Sequence, residues 1–171
     1  PPLLKFIDAL TNWYIRLNRR RAKGEHGRAE AEDSLRVLFA VIYQFNGLMA
    51  PFTPFFAETV YQRLRPYIVG NEGVVAQSVH FQDYPRPCAE YADEGIQRAF
   101  ARLQVVVERV RMMRDQRNLP LKTPLRTVTV VSTDPSLLED LQSLRSYIVD
   151  ELNVRDLVLS CDEAAYPVTL R

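Results

Sequence analysis

Five cations lie within eight residues of one another, close behind the only tryptophan of the chain, Trp13. These cations are Arg16, Arg19, Arg20, Arg21 and Lys23. Positive groups at helical spacing can neutralise successive phosphates, so the stretch indicates contact with a phosphate chain such as a nucleic acid. A solvent-exposed charged helix face explains the same residues, and from this stretch alone the two interpretations carry equal weight.

An amphipathic helix from Leu3 to Lys23 would position these cations. Its predicted apolar face, at spacings of three and four residues, consists of Leu3, Phe6, Ile7, Leu10, Trp13, Tyr14 and Leu17. Four of the cations follow one flank of the helix, with Lys5 and Asn12 on the same side. Arg21 instead faces the apolar side, so either the core has ended there, which we favour, or Arg21 meets a buried carboxylate. Trp13 lies on the apolar face, which favours a core position over stacking on a base.

The charges of the chain fall into four alternating blocks, although the net charge is only +1. Residues 1–28 carry +5, residues 29–94 carry −5, residues 95–127 carry +6 and residues 128–171 carry −5. A sign asymmetry of this kind indicates a polyanionic partner.

A second basic flank is predicted on a helix that begins at Asp93 or Glu94 and ends near Asn118. The cations that share one side of it are Arg98, Arg102 and Arg109. If this helix packs beside the first, the two flanks would form one basic surface. Three more cations near its end are Arg111, Arg114 and Arg117. For these, capping of the negative helix end and ion pairing with Asp115 are favoured over direct binding.

Two further helices are predicted between these basic helices. One runs from Ala29 to Met49 and carries acidic residues in its first turn, which suits the positive end of the helix dipole. The next starts at Thr53 and Pro54, a hydroxyl at the cap followed by proline at the first helical position, and ends before Pro66. The pattern allows an extended segment at residues 79–81.

The apolar period changes beyond Pro124. Residues 126–132 alternate as a half-buried strand does, and Pro135 begins a helix that runs through Ile148. Residues 154–160 are predicted as a second strand and residues 168–171 as a third.

These elements predict a mostly α fold, with a helical bundle over residues 1–124 and a small α+β strand–helix–strand junction module over residues 125–171. Cys88 and Cys161 form no ligand pattern with the two histidines, so no metal site is predicted. No apolar run is long enough to span a membrane, so we expect a cytoplasmic protein with free thiols and no membrane partner.

Motifs of catalytic chemistry are absent from the sequence: there is no phosphate loop, glycine fingerprint, His-Glu-x-x-His or serine elbow. We therefore expect no catalytic residue and no cofactor in this chain. It begins at Pro1 without a methionine and ends in a strand-like run, so we expect it to be part of a longer protein.

Several stretches resemble the isoleucyl-tRNA synthetases, most specifically near the start. Residues 10–16, Leu-Thr-Asn-Trp-Tyr-Ile-Arg, with Asn-Arg-Arg-Arg at 18–21, resemble the first helix of their anticodon-binding domain. Residues 48–55, Leu-Met-Ala-Pro-Phe-Thr-Pro-Phe, resemble a helix break shared by the isoleucine, valine and leucine class I enzymes. The less specific matches are residues 78–85, 114–125 and 152–154. The triple arginine favours isoleucine, and residues 22–27 resemble the eukaryotic cytosolic branch.

The resemblance implies an anticodon-binding helical bundle whose parent enzyme joins isoleucine to its tRNA using ATP and Mg²⁺. Neither the catalytic nor the editing domain is in this sequence, so ATP and Mg²⁺ belong to the parent, and the parent's catalytic domain is an expected partner. The other partner is isoleucine tRNA, whose anticodon-loop bases would be read by stacking and hydrogen bonds.

The residues that we predict to bind tRNA are Asn12, Arg16, Asn18, Arg19, Arg20, Arg21 and Lys23, with Trp13, Arg98, Arg102 and Arg109 as weaker candidates. Bacterial relatives have an aromatic residue near position 22, where this chain has Ala22, so no base contact is carried over to that position.

Two other functions account for the same residues. One is a helical scaffold within a multi-enzyme complex, whose arginines pair with acidic residues of a protein partner. The other is the same domain of a valine or leucine enzyme, which would differ only in the anticodon that it reads.

Overall fold

The computed structural model describes residues 2–68, 75–162 and 164–166. They fall into two compact units that divide between Cys88 and Ala89. The first unit contains the opening helix and the two helices that follow it, and the second contains the other long helix and both strands.

The opening helix comprises three segments between residues 2 and 22. They are α1 (Pro2–Asp8), a π-helix (Ala9–Ile15) and α2 (Arg19–Ala22). The Thr11 hydroxyl donates to the Ile7 carbonyl at 2.8 Å, a side-chain bond of the kind that bends helices. The helix therefore forms close to its predicted bounds, but its hydrogen-bond ladder is not regular.

The predicted apolar face of the opening helix is only partly correct. Trp13 is buried at 7% exposure, but Leu3, Phe6 and Ile7 are 36–40% exposed. A residue inserted into a helix rotates the faces on either side of it by roughly 100° relative to each other, so one straight face cannot pass through the π-helix. Phe6 nevertheless stacks on Phe45 of the next helix, with ring centroids 5.2 Å apart.

Two helices follow the opening helix as predicted, α3 (Arg28–Met49) and α4 (Pro54–Leu64). Their shared core consists of Ala50, Ala57, Tyr61 and Val79. The buried Asn46 side chain donates to the Ala57 carbonyl at 2.9 Å, which ties α3 to α4 across the Met49–Thr53 break.

A loop on this core is held by the Glu58 carboxylate of α4. It accepts hydrogen bonds from the Ser78 hydroxyl at 2.8 Å and the Val79 amide at 3.0 Å. Hydrogen bonds from Gln62 and Ser78 lower the pKa of Glu58 below its ordinary value. Val79–Phe81 is a 3₁₀ turn rather than an extended segment, because Ser78 caps it and Glu58 fixes its start.

The second unit contains α5 (Glu94–Gln116), β1 (Leu125–Val131), α6 (Pro135–Ser143), α7 (Arg145–Leu152) and β2 (Val154–Ser160). The Asp93 carboxylate caps α5 by accepting from the Ile96 amide at 2.9 Å. The single helix predicted from Pro135 is two helices, because the chain breaks at Leu144. The predicted third strand, residues 168–171, lies outside the described residues.

The strands β1 and β2 form a parallel pair, which the α6–α7 crossover connects. Among the side chains that are 0–1% exposed in this unit are Leu103, Val107, Leu141, Ile148, Leu152 and Leu157. These residues come from α5, α6, α7 and β2, so α5 shares a core with the strand module. No helix among the described residues is both long enough and apolar enough to cross a membrane.

Candidate nucleic-acid interface

The predicted cations lie in the last two turns of the opening helix, just before a tight turn of the chain. Gly24 and Gly27 adopt φ angles of 82° and 100°, the left-handed region that glycine accepts most readily. The turn directs the chain from α2 into α3. Arg16, Arg19 and Lys23 are all exposed, so the end of the opening helix presents several positive groups to solvent.

Arg19 is available for binding in this set. Across residues 2–68, 75–162 and 164–166, no hydrogen bond or ion pair involves its guanidinium. All of its donors can therefore turn to a phosphate, which a guanidinium binds through two parallel hydrogen bonds.

Arg20 forms an ion pair at the surface. Its Nε lies 2.7 Å from Glu25 Oε2, and the two side chains are 57% and 46% exposed. The hydrogen bond from Arg20 lowers the pKa of Glu25, and the nearby charge of Lys23 acts in the same direction. An ion pair this exposed exchanges readily with solvent, so Arg20 remains within reach of a stronger anion.

For Arg21, the sequence left two interpretations: the core ends before it, or its side chain meets a buried carboxylate. It does meet a carboxylate, with Nη2 2.6 Å from Glu30 Oε2 of α3, but that carboxylate is half-exposed rather than buried. Its other terminal nitrogen donates to Asn18 Oδ1 at 3.2 Å. Arg21 therefore links α2 to α3 at the edge of the core.

The two asparagines predicted to contact tRNA differ in how many hydrogen-bonding groups of their side-chain amides lack an intramolecular partner. Asn18 donates to the Tyr14 carbonyl at 3.0 Å and accepts from Arg21, so both ends of its amide have intramolecular partners. Asn12 is exposed and donates to Asp8 at 2.6 Å, and its carbonyl oxygen accepts no hydrogen bond from another described residue. Trp13 is buried, as the favoured core interpretation requires.

The basic flank of α5 has a different environment. Arg98 binds Asp140 of α6 through two hydrogen bonds of 2.9 and 3.1 Å. Arg102 binds the same carboxylate at 2.7 Å and also contacts Asp134 at 3.3 Å. The hydrogen bond from Arg98 is the main cause of a lowered pKa at Asp140. Both predicted cations thus attach α5 to α6, whereas Arg109 is exposed.

The cations near the end of α5 do not pair with Asp115 as expected. Arg111 pairs with the buried Glu151 of α7. Arg114 is itself buried, at 3% exposure, and donates to backbone carbonyls. Those carbonyls belong to Leu119, Pro120, Thr123 and Leu152. The negative charge of residues 128–171 was a signal for such pairing, but the burial of Arg114 has no counterpart in the helical pattern.

Metal binding finds no support in the part of the chain that the structure describes, where no three His, Cys, Asp or Glu side chains group as ligands. Cys88 and Cys161 are exposed free thiols. The arrangement that remains is a set of exposed cations at the end of the opening helix and, in the π-helix before them, an asparagine with a free acceptor. Such a surface can bind phosphates and hydrogen-bond an unpaired base.

A family model described as the anticodon-binding domain of tRNA ligase matches residues 2–129. The chain is 47% identical, over 98% of its length, to the cytoplasmic isoleucine–tRNA ligase of Saccharomyces cerevisiae. It is 42% identical over all of its length to the cytoplasmic enzyme of Mus musculus and 31% identical over 95% to an isoleucine–tRNA ligase of Protochlamydia amoebophila. It spans only 14–16% of the length of these relatives.

Proposed function

Because this chain belongs to the anticodon-binding domain family of tRNA ligases, we propose that it recognises the anticodon loop of isoleucine tRNA as part of an isoleucine–tRNA ligase. The relatives whose names specify isoleucine include both eukaryotic and bacterial enzymes, which supports isoleucine over valine or leucine. The ligation itself, with its ATP and Mg²⁺, is assigned to the catalytic domain of the parent, which is a partner of this chain. The cytoplasmic relatives support a cytoplasmic location.

The observation that carries the proposal is the exposed and unpaired guanidinium of Arg19 within the described structure. A cation without a carboxylate partner gives up no intramolecular bond when it binds a phosphate. Arg16 and Lys23 extend the same positive surface, and Arg20 joins it by exchanging Glu25 for a phosphate oxygen. Neutralising several phosphates in this way releases counterions and makes binding strongly salt-dependent.

Base recognition is assigned to Asn12, whose free carbonyl oxygen can accept a hydrogen bond from a base amino group. Asn18 acts indirectly, because its amide holds Arg21. Trp13 stays in the core. Arg98 and Arg102 are assigned to the α5–α6 contact, and Arg109 remains a candidate for phosphate binding.

The anticodon-binding bundle is proposed to span residues 1–124 and the junction module residues 125–171. The family match ends at residue 129, close to this boundary, which supports the proposal. The compact units divide elsewhere, between Cys88 and Ala89, because α5 packs against α6 and α7.

A gel-shift panel tests the proposed function. The 171-residue chain is titrated with isoleucine tRNA and with the same tRNA carrying a valine or a leucine anticodon. Tighter binding of the isoleucine anticodon is the expected result. A preference for either of the other anticodons would reassign the chain to that relative, and equal binding of all three would favour the protein-interaction scaffold.

A further inference from the structure

Two arginines lie side by side in the two-stranded sheet of the second unit. Leu125 pairs with Val154 and Thr127 with Asp156, so Arg126 falls opposite Arg155. Residues opposite each other on neighbouring strands project from the same face, with strand axes about 4.8 Å apart. Both arginines are exposed.

Nothing in the described part of the chain neutralises this pair. The side chains of Arg126 and Arg155 make no hydrogen bond or ion pair with another residue in the ranges 2–68, 75–162 and 164–166. The adjacent carboxylate, Asp156, is bound by Arg145 and belongs to the opposite face of the strand. Like charges directly opposite each other destabilise a sheet, so the fold retains an unfavourable interaction here.

A third cation is brought to the same end of the sheet by Asn153. This residue adopts the left-handed conformation, with φ 50°, and its side chain donates to the carbonyls of Leu121 and Lys122 at 3.0 and 3.1 Å. The Asn153 carbonyl accepts from the Leu125 amide at 3.1 Å, which starts the strand pairing. Lys122 is exposed, so it adds a positive charge beside the first residues of both strands.

We propose that Lys122, Arg126 and Arg155, the strand-start cations, form a second tRNA-binding surface that contacts the sugar–phosphate backbone. A polyanion turns the repulsion between two adjacent guanidinium groups into a shared attraction, and guanidinium geometry matches phosphate oxygens. Neither strand contains an aromatic residue on which a base could stack, so backbone contact is favoured over base recognition. The inference rests on the proposed function, because that function makes tRNA the available polyanion.

The test uses the 171-residue chain with Arg126→Gln and Arg155→Gln combined. The matched control combines Arg28→Gln and Arg36→Gln, two exposed arginines of α3 whose charges are paired with Glu32. Binding of isoleucine tRNA and of a tRNA with another anticodon is measured at several KCl concentrations. The strand variant should weaken both complexes about tenfold at about 0.1 M salt and lower the slope of log Kd against log salt by about 1–2.

The thermal midpoint gives an independent readout, because removing a repulsive pair should leave the midpoint unchanged or raise it. If the strand variant instead unfolds at a lower temperature than the control, Lys122→Gln replaces it, since Lys122 lies outside both strands. That single variant should lower the salt slope by about 1.

The outcomes separate this inference from the proposed function. Wild-type binding that prefers the isoleucine anticodon, with a salt slope that the strand variant leaves unchanged, overturns the inference and retains the function. Binding without anticodon preference, with a slope that falls in the strand variant, retains the inference and removes the function. Failure of the wild type to bind either tRNA overturns both.

Discussion

The opening helix and α5 both carry an arginine flank beside an apolar face, yet the structure places the two flanks in different environments. At the end of the opening helix, Arg19 is exposed without a partner among the described residues, and Arg20 forms an ion pair with Glu25 at the surface. On α5, Arg98 and Arg102 converge on Asp140, whose side chain is mostly buried. The role of such a flank therefore depends on the element packed beside it rather than on the spacing of its cations.

Burial divides the arginines of α5 further. Arg114 is buried in the second unit and donates hydrogen bonds to backbone carbonyls of the surrounding chain, whereas Arg117, three residues later, is exposed. One helix thus contains arginines that hold the fold together and arginines that do not.

The largest effect is expected from Arg114→Met. Methionine fills part of the volume but removes the donor to the buried Leu152 carbonyl and to the part-buried carbonyls of Leu119 and Thr123, so the free energy of unfolding should fall by about 3 kcal/mol. Urea denaturation of the 171-residue chain measures it. Arg117→Met, the same change at the exposed position, should stay within about 0.5 kcal/mol of wild type. Equal losses in both variants would mean that the carbonyl contacts of Arg114 contribute no more than an exposed side chain.

A smaller effect, dependent on pH, is expected at Asp140. Its pKa is lower in the folded protein than its ordinary value of 3.8, mainly because Arg98 donates to it, so ionised Asp140 stabilises the fold. This contribution is complete above the ordinary value and is lost as the pH falls through the folded pKa.

Asp140→Asn should therefore be less stable than wild type near pH 6, and the difference should shrink as the pH falls to about 3. Thermal midpoints across this range provide the measurement. Asp115→Asn is the control, since Asp115 is exposed and its side chain makes no bond with another described residue. A difference between Asp140→Asn and wild type that stays constant with pH would show that the α5–α6 ion pairs do not depend on an ionised Asp140.

The smallest effect is expected from Glu25→Gln. Removing this carboxylate breaks the Arg20–Glu25 ion pair and takes a negative charge away from the proposed phosphate site, so the Kd for isoleucine tRNA should fall about twofold. Glu32→Gln makes the same charge change on α3, away from Arg20, and should have less effect. If the two variants bind tRNA equally, Glu25 does not compete with the phosphate for Arg20.

The features that the sequence predicted well depend on local chemistry. The start of α4 follows from the proline at its first helical position, although the Thr53 side chain makes no capping hydrogen bond. The start of α6 follows from a proline and the Asp134 cap, and that of α5 follows from the Asp93 cap. The positions of β1 and β2 follow from the change of apolar period after residue 124, whereas their parallel pairing was not predicted. Such signals act within a few residues, so they can be recognised in the sequence without knowledge of the rest of the fold.

The features that the sequence did not reveal depend on residues far apart in the chain. Val79–Phe81 becomes a turn because Glu58, about twenty residues earlier, accepts its first amide. Arg114 becomes buried because the carbonyls of Leu152 and Pro120 surround it. The cross-strand pair of Arg126 and Arg155 emerges only from the strand register.

The most direct test of the account compares the two arginine flanks in one experiment. The first variant combines Arg19→Gln with Arg20→Gln on the opening helix, and the second combines Arg98→Gln with Arg102→Gln on α5. Each variant removes two positive charges. Both are titrated with isoleucine tRNA over a range of salt concentrations, at a temperature where both are folded. The first variant should weaken binding and lower the salt slope by about 1–2, and the second should leave the slope at the wild-type value. An unchanged slope in the first variant, or an equal fall in both, would contradict the claim that the end of the opening helix binds the phosphates while the paired arginines of α5 do not.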